Sequence, residues 1–258
     1  MEIQASKDPH LNCPSVAFDL FLEKEPDSYY NYRHFSAAYF ECEKFEAPEM
    51  GHKLPDISFY SLDGSTTRLS DLTGKKIILE IASLTSPVFF ENLDKMEKLS
   101  NIFWDYDFCI VYVREEHPGK KIPHHQTLEQ KMQNARHLKS RVDNGWSILV
   151  DNLTGDGHRV LGQMPNSCFL IDKERTVLYR ASSTDPSSLH TKLAGLLLSQ
   201  SDSSSTGIVV PKPTKIRTTL RVLSAAGSDS VADCAFSLPK ILSKRRRMKE
   251  RSKAPGWD

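Results

Sequence analysis

The 258-residue chain reads as an α/β protein built on one mixed sheet flanked by helices, with a helical extension before it and a basic tail after it. Three observations lead there. Short β-branched runs alternate with segments of helical apolar spacing, which implies βαβ units and a parallel portion of sheet. Hydrophobic residues at 39% and charged residues at 26% are ordinary for a globular chain with a sizeable core. A Ser-rich stretch beginning at Ser199 then breaks the alternation.

Residues 1–51 form the extension. Phe35, Ala38, Tyr39 and Cys42 fall at i, i+3, i+4 and i+7, which is one helical face that should pack on the main domain. A free-standing domain of this size would be marginal. Residues 52–198 form that main domain. Segments 56–62 and 65–69 read as a hairpin around Asp63-Gly64. Residues 75–82 and 107–113 are short apolar runs expected as buried, adjacent, parallel strands, with helices on both faces of the sheet. Between them, Phe89, Leu93, Met96, Ile102 and Phe103 mark a helix over 88–104. A second helix over 126–141 turns Leu128, Met132, Ala135 and Leu138 one way. Strands follow at 147–151, 168–172 and 176–180, the last two joined by a turn, and a helix over 186–198 closes the domain. Residues 199–258 carry low hydrophobicity with 12 Lys and Arg against 5 Asp and Glu, and are expected to be a disordered basic tail.

Composition narrows the function. The five cysteines are scattered, odd in number, and never two residues apart. That argues against a disulfide framework, a zinc site and a dithiol motif, and for a reducing compartment, cytoplasmic or, through the tail cluster Lys244-Arg245-Arg246-Arg247, nuclear. No metal and no cofactor is expected. Contact with nucleic acid is expected only through the tail, where no aromatic residues interleave the charges. No apolar run nears the ~20 residues needed to span a bilayer, no secretory signal is visible, and no membrane partner is expected.

The chemistry-bearing corner lies where residues 75–82 end and the next helix begins. Ligands bind beyond the carboxyl ends of strands in open α/β sheets, and a helix N-terminus there stabilises an anion. The corner reads Ala82-Ser83-Leu84-Thr85-Ser86-Pro87-Val88-Phe89. It resembles the Gly-Ser-Cys-Thr-Sec-Pro-Pro-Phe of the iodothyronine deiodinases, with Leu84 in place of the cysteine and Ser86 in place of the selenocysteine. Residues 108–118 are similar to the family's strand ending in Glu-Glu-Ala-His-Pro. Residues 122–138 are similar to its Pro-x-His-x-x-Leu followed by Ala-Arg.

The resemblance implies a thioredoxin-like fold and assigns catalytic positions to Ser86, Glu115, His117 and His125. It implies ligand-binding positions at Ser83, Thr85, Phe89 and Pro165, with Pro165 as a cis-proline facing the corner. Arg114 stands at the family's first Glu, and Ser167 at an arginine that helps hold the ligand. The implied partners are an aromatic or iodothyronine-like small molecule, a thiol reductant, or a protein.

Each of these positions also has a plainer reading. Ser86-Pro87 is an ordinary helix start, serine as N-cap and proline at the first position. Cys109 and Cys168 read as packing within strands, Glu115 and Glu116 as solvent-facing, and lone loop histidines as solvated. Two functions follow. One is a redox-inactive family member that keeps a ligand or partner pocket. The other is an active deiodinase-type or thiol-redox oxidoreductase in which Ser86 or Cys168 serves. A UGA codon at position 86, encoding selenocysteine, would favour the second.

Overall fold

The computed structural model describes residues 30–37, 44–72, 75–142, 145–198 and 207–253. Seven strands form one sheet in the order β2-β1-β5-β4-β3-β6-β7. They are β1 (Ser58–Tyr60), β2 (Thr66–Arg68), β3 (Ile77–Ala82), β4 (Asp107–Tyr112), β5 (Ser147–Val150), β6 (Cys168–Ile171) and β7 (Val177–Ala181). The central strand β3, Ile-Ile-Leu-Glu-Ile-Ala, is buried along its whole length. It pairs parallel with β4 from Ile77↔Asp107 to Ala82↔Tyr112, and β4 pairs parallel with β5. On its other side β3 runs antiparallel to β6, and β6 to β7. The β1–β2 hairpin docks antiparallel on β5.

Burial on both faces explains why β3 is apolar at nearly every position rather than alternating. Ile78 and Ala82 face one core with Met96, Leu99, Met132, Leu138, Leu189 and Leu193. Those six come from α1 (Pro87–Ile102), α2 (Leu128–Arg141) and α4 (Pro186–Leu197), so all three long helices of the main domain cover one face. Ile77, Leu79 and Ile81 face the second core, which is closed by Phe45, Leu54 and Ile57 and by Leu161 beyond the short α3 (Asp156–Val160). The expectation of helices on both faces is met on this second face only by one five-residue helix; Phe45, Leu54 and Ile57, from residues before β1, also close it.

Side-chain caps set where the helices start. Ser86 accepts the Phe89 amide N–H at the head of α1, with Pro87 at the first position. Thr127 caps α2, and Asp185, followed by Pro186, caps α4. Each such cap contributes about 1 kcal/mol by satisfying a donor that the helix leaves unpaired.

The expectation of a disordered tail is overturned. Residues beyond the Ser-rich stretch form α5 (Ile216–Ala226) and α6 (Ser228–Arg251), separated by Gly227 at φ 142°. Val222, Leu223, Ala226 and Met248 are buried, and burying a side chain such as Leu223 contributes about 2 kcal/mol. The pair is also bonded to the main domain. Lys121 and Ile122 donate backbone N–H to Ala226 O at 2.8 and 3.2 Å, and Ser230 Oγ donates to His117 O at 3.0 Å. Gly119 permits that approach, because a Cβ there would sit 2.6 Å from Ala226 O.

Of the proposed N-terminal helical face, Ala38, Tyr39 and Cys42 lie outside the described residues. Phe35 is buried, its ring centroid 4.0 Å from that of His117.

Candidate functional site

The loops that leave β3 and β4 side by side carry the corner, because the two strands are parallel and in register. Residues 83–86 and 113–117 are therefore stitched together by short bonds. Glu116 N donates to Ser83 Oγ at 3.2 Å, and His117 N donates to Thr85 Oγ1 at 3.0 Å. Thr85 in turn donates to Glu115 Oε2 from its hydroxyl at 2.7 Å and its amide at 3.1 Å.

The sequence-derived positions separate into two groups around Ser86. The first is a buried polar network centred on Glu115. Its carboxyl accepts from Thr85, from the Tyr112 hydroxyl, and from Asn134 Nδ2 at 3.2 Å, while His125 Nε2 lies 3.2 Å from Oε1. Burial alone would raise this carboxyl, but donors from His125, Tyr112 and Thr85 outweigh it and hold Glu115 below the ordinary carboxylate range. His125 is pushed below the usual imidazole range by burial, against the pull of Glu115. Neutral His125 thus donates to a charged Glu115. Both glutamates of the pair Glu115-Glu116 are buried, which corrects the solvent-facing reading.

The second group lines a cavity of about 470 Å³ between the corner and α5–α6. Pro87, Val88, Met164 and Pro165 form its wall on the main domain, and Leu223, Val231, Leu238 and Ile241 its wall on the C-terminal helices. Glu116, His117 and Asn166 supply polar groups. Burial pushes the His117 imidazole down to about 3, so it is neutral, and its Nδ1 is buried without a hydrogen-bond partner. Its Nε2 faces Glu116 Oε1 at 3.7 Å. Burial pushes the Glu116 carboxyl up to about 7, against the donor Asn166 and the charge of Arg114. That guanidinium is sandwiched over the rings of Tyr30 and Tyr32, at 4.7 and 5.0 Å.

Ser86 lies between the groups and is fully buried. Its hydroxyl donates to Asn166 Oδ1 and accepts from Phe89 N at 3.2 Å, and Asn166 Nδ2 donates to Glu116 Oε2 at 3.0 Å. Phe89, expected along the ligand slot, is instead a core residue packed with Phe90. Ser83, Thr85 and His125 belong to the buried network rather than to the cavity wall. The peptide bond before Pro165 is trans, not cis.

Neither strand cysteine is poised as a nucleophile. Burial pushes the Cys109 thiol up to about 12, with Asp107 adding to the shift. Burial also raises the Cys168 thiol well above its ordinary value, with Glu80 adding to it. Among the described residues, no cluster of three or more His, Cys, Asp or Glu is arranged to hold a metal ion.

The sequence reading missed Asn166 and the whole C-terminal wall. Val231, Cys234, Leu238 and Ile241 recur at i, i+3, i+7 and i+10, a helical signal that the neighbouring charges and Pro239 obscured.

The parallel β5-β4-β3 core, the antiparallel β6–β7 edge and a helix starting at the end of β3 define a thioredoxin-like domain. The family model for iodothyronine deiodinase matches residues 30–197, and the chain belongs to that family. Helices α5 and α6 lie beyond the matched residues. The thyroxine 5-deiodinase of Sparus aurata is 27% identical over 120 residues, covering 42% of this chain and 45% of that protein. That of Rattus norvegicus is 24% identical over 149 residues, covering 53% and 48%. The chain thus spans about half the length of the curated relatives it matches. Among solved structures, a thioredoxin-like protein from Aeropyrum pernix aligns with a TM-score of 0.44 at 14% identity, covering 54% of this chain and 89% of that one. A secreted disulfide oxidoreductase of Mycobacterium tuberculosis aligns with a TM-score of 0.42 at 11% identity, covering 54% and 96%.

Proposed function

We propose that this deiodinase-family chain is redox-inactive and binds an apolar, aromatic small molecule of the iodothyronine type in the cavity beside Ser86. The observation that carries the reading is the cavity itself. Its size and its apolar walls with a few converging polar groups, Glu116, His117 and Asn166, are those of a small-molecule site. The neutral His117 presents an unpartnered Nδ1, which a ligand hydroxyl or ammonium could satisfy as donor.

The inactive half of the reading rests on Ser86. With serine at the selenocysteine position and leucine at Leu84, the corner has neither a selenol nor a thiol. The Ser86 hydroxyl is engaged as a cap and with Asn166, and an alcohol is a far weaker nucleophile than a thiolate at neutral pH. Cys168, the other thiol considered, is buried and held protonated.

Thyroxine titration onto the purified chain, followed by calorimetry, tests the binding half. The expected result is saturable binding that weakens about tenfold in Leu238→Trp, which would fill the cavity, and in His117→Ala. Equal affinity in all three proteins, or no binding, would overturn it. Iodide release from thyroxine with dithiothreitol present tests the other half. Turnover that vanishes in Ser86→Ala would establish the enzyme instead.

A further inference from the structure

The C-terminal helices carry a feature that the cavity does not use up. Ile216 and Leu220 on α5, and Leu238 and Leu242 on α6, line the cavity, yet each is about half exposed or more, at 78, 48, 48 and 54%. They form an apolar lip at its mouth. Large apolar side chains grouped at one opening are unusual on a soluble surface and mark an interaction site.

Charge surrounds this lip. Residues 240–253 hold eight Lys or Arg and one Glu, whereas the chain as a whole has a net charge of only +1. On α6 the exposed stripe runs Leu238, Leu242, Arg246, Lys249, at i, i+4, i+8 and i+11, so apolar and basic groups share one face. Lys212 and Arg245 also line the cavity, Lys212 paired with Asp185 Oδ1 at 2.8 Å. An exposed apolar strip continuing into a basic one is complementary to an anionic lipid surface, where side chains enter the acyl boundary and cations meet headgroups. It is a poorer match to nucleic acid, whose backbone offers nothing to the leucines.

We propose that the mouth of the cavity, on α5 and α6, is a peripheral docking surface for an anionic lipid bilayer. The sequence-based expectation of no membrane partner rested on the lack of a spanning segment. No helix among the described residues is long and apolar enough to cross a membrane, and a surface that lies on the bilayer needs none. The proposal rests on the exposed lip and its charges, not on a ligand in the cavity.

Co-sedimentation of the full chain with vesicles tests this. The chain should pellet with phosphatidylcholine vesicles containing phosphatidylserine, stay in solution with phosphatidylcholine alone, and release as salt is raised. Arg246→Glu and Lys249→Glu should each weaken binding by about fivefold or more. The pair Leu220→Ser with Leu242→Ser should weaken it comparably, and since both leucines are half exposed the variant keeps its fold. Equal binding to neutral vesicles, no binding to either, unaltered binding by these variants, or preferential capture by duplex DNA added as competitor would each overturn the proposal.

Discussion

His125 Nε2 lies 3.2 Å from Glu115 Oε1, and both side chains are sealed from solvent. They come from opposite ends of the one connection between β4 and α2, and Tyr112, Thr85 and Asn134 complete the ring of donors around the carboxylate. Such a network costs a great deal when one member is lost, because the remaining groups stay buried and unpaired.

Glu115→Gln should therefore destabilise the fold by about 3–5 kcal/mol, since it removes the charge and turns a new donor toward existing donors. Tyr112→Phe should cost about 1–2 kcal/mol. Urea denaturation followed by circular dichroism measures both. A Glu115→Gln loss below about 1 kcal/mol would show that the carboxyl is not charged in the native state.

His117 sets an acid dependence. Its pKa is lowered to about 3 in the folded chain, whereas the unfolded chain takes up the proton near 6.5. The unfolded state thus binds more protons below 6.5, and stability falls as pH drops from there toward 3, by up to about 1.4 kcal/mol per pH unit. Glu116, which faces it, opposes this above the ordinary carboxylate value, because its raised pKa of about 7 lets the native state hold a proton the unfolded state releases. His117→Leu should flatten the loss of stability between pH 5 and pH 4 by about 1 kcal/mol per unit. An unchanged slope in denaturation midpoints would refute this.

Glu80 acts in the opposite sense. It is buried in β3 opposite Cys168, its Oε2 has no hydrogen-bond partner, and burial pushes its carboxyl up to about 8. The native state keeps the proton while the unfolded state loses it above about 4.5, so this group's contribution declines as pH rises toward 8. Glu80→Met should stabilise the chain by on the order of 2 kcal/mol at neutral pH, and less in acid. Melting temperatures across that pH range would decide it, a uniform shift being the contrary outcome.

Ser86 gives two further outcomes. Ser86→Ala removes both the cap of α1 and the bond to Asn166, and should cost about 1–2 kcal/mol. Ser86→Cys places a thiol at a helix N-terminus, but one with no exposed surface and close to the Glu116 carboxyl. Alkylation by iodoacetamide should be at least about tenfold slower than in urea, because access requires local opening. Rapid labelling of the folded variant would show that the corner is open.

Local pattern alone made the central elements legible. The β-branched run ending at Ala82, the apolar spacing of Met132, Ala135 and Leu138, and the Ser-Pro start of α1 each report a short-range preference, and each appears in the structure where the sequence sets it. The corner motif likewise pointed to Ser86, and the two later motifs to His117 and His125. Which of these side chains share a cavity was not legible. His117 and His125 are eight residues apart in one loop region, yet the first lines the cavity and the second is buried against Glu115.

The sequence by itself determined the order of the strands and long helices within residues 56–198 and the residue types at the corner, because periodicity and capping act over a few residues. Only the tertiary structure decided what covers that corner. Residues 207–253 read as polar and basic along the chain, and apolar positions among them such as Leu223, Val231 and Leu238 face Pro87, Val88, Met164 and Pro165 across the cavity. Burial is a property of two surfaces at once. The roof of the cavity follows from contacts separated by more than a hundred residues, Ser230 to His117 among them, and no local window contains both halves.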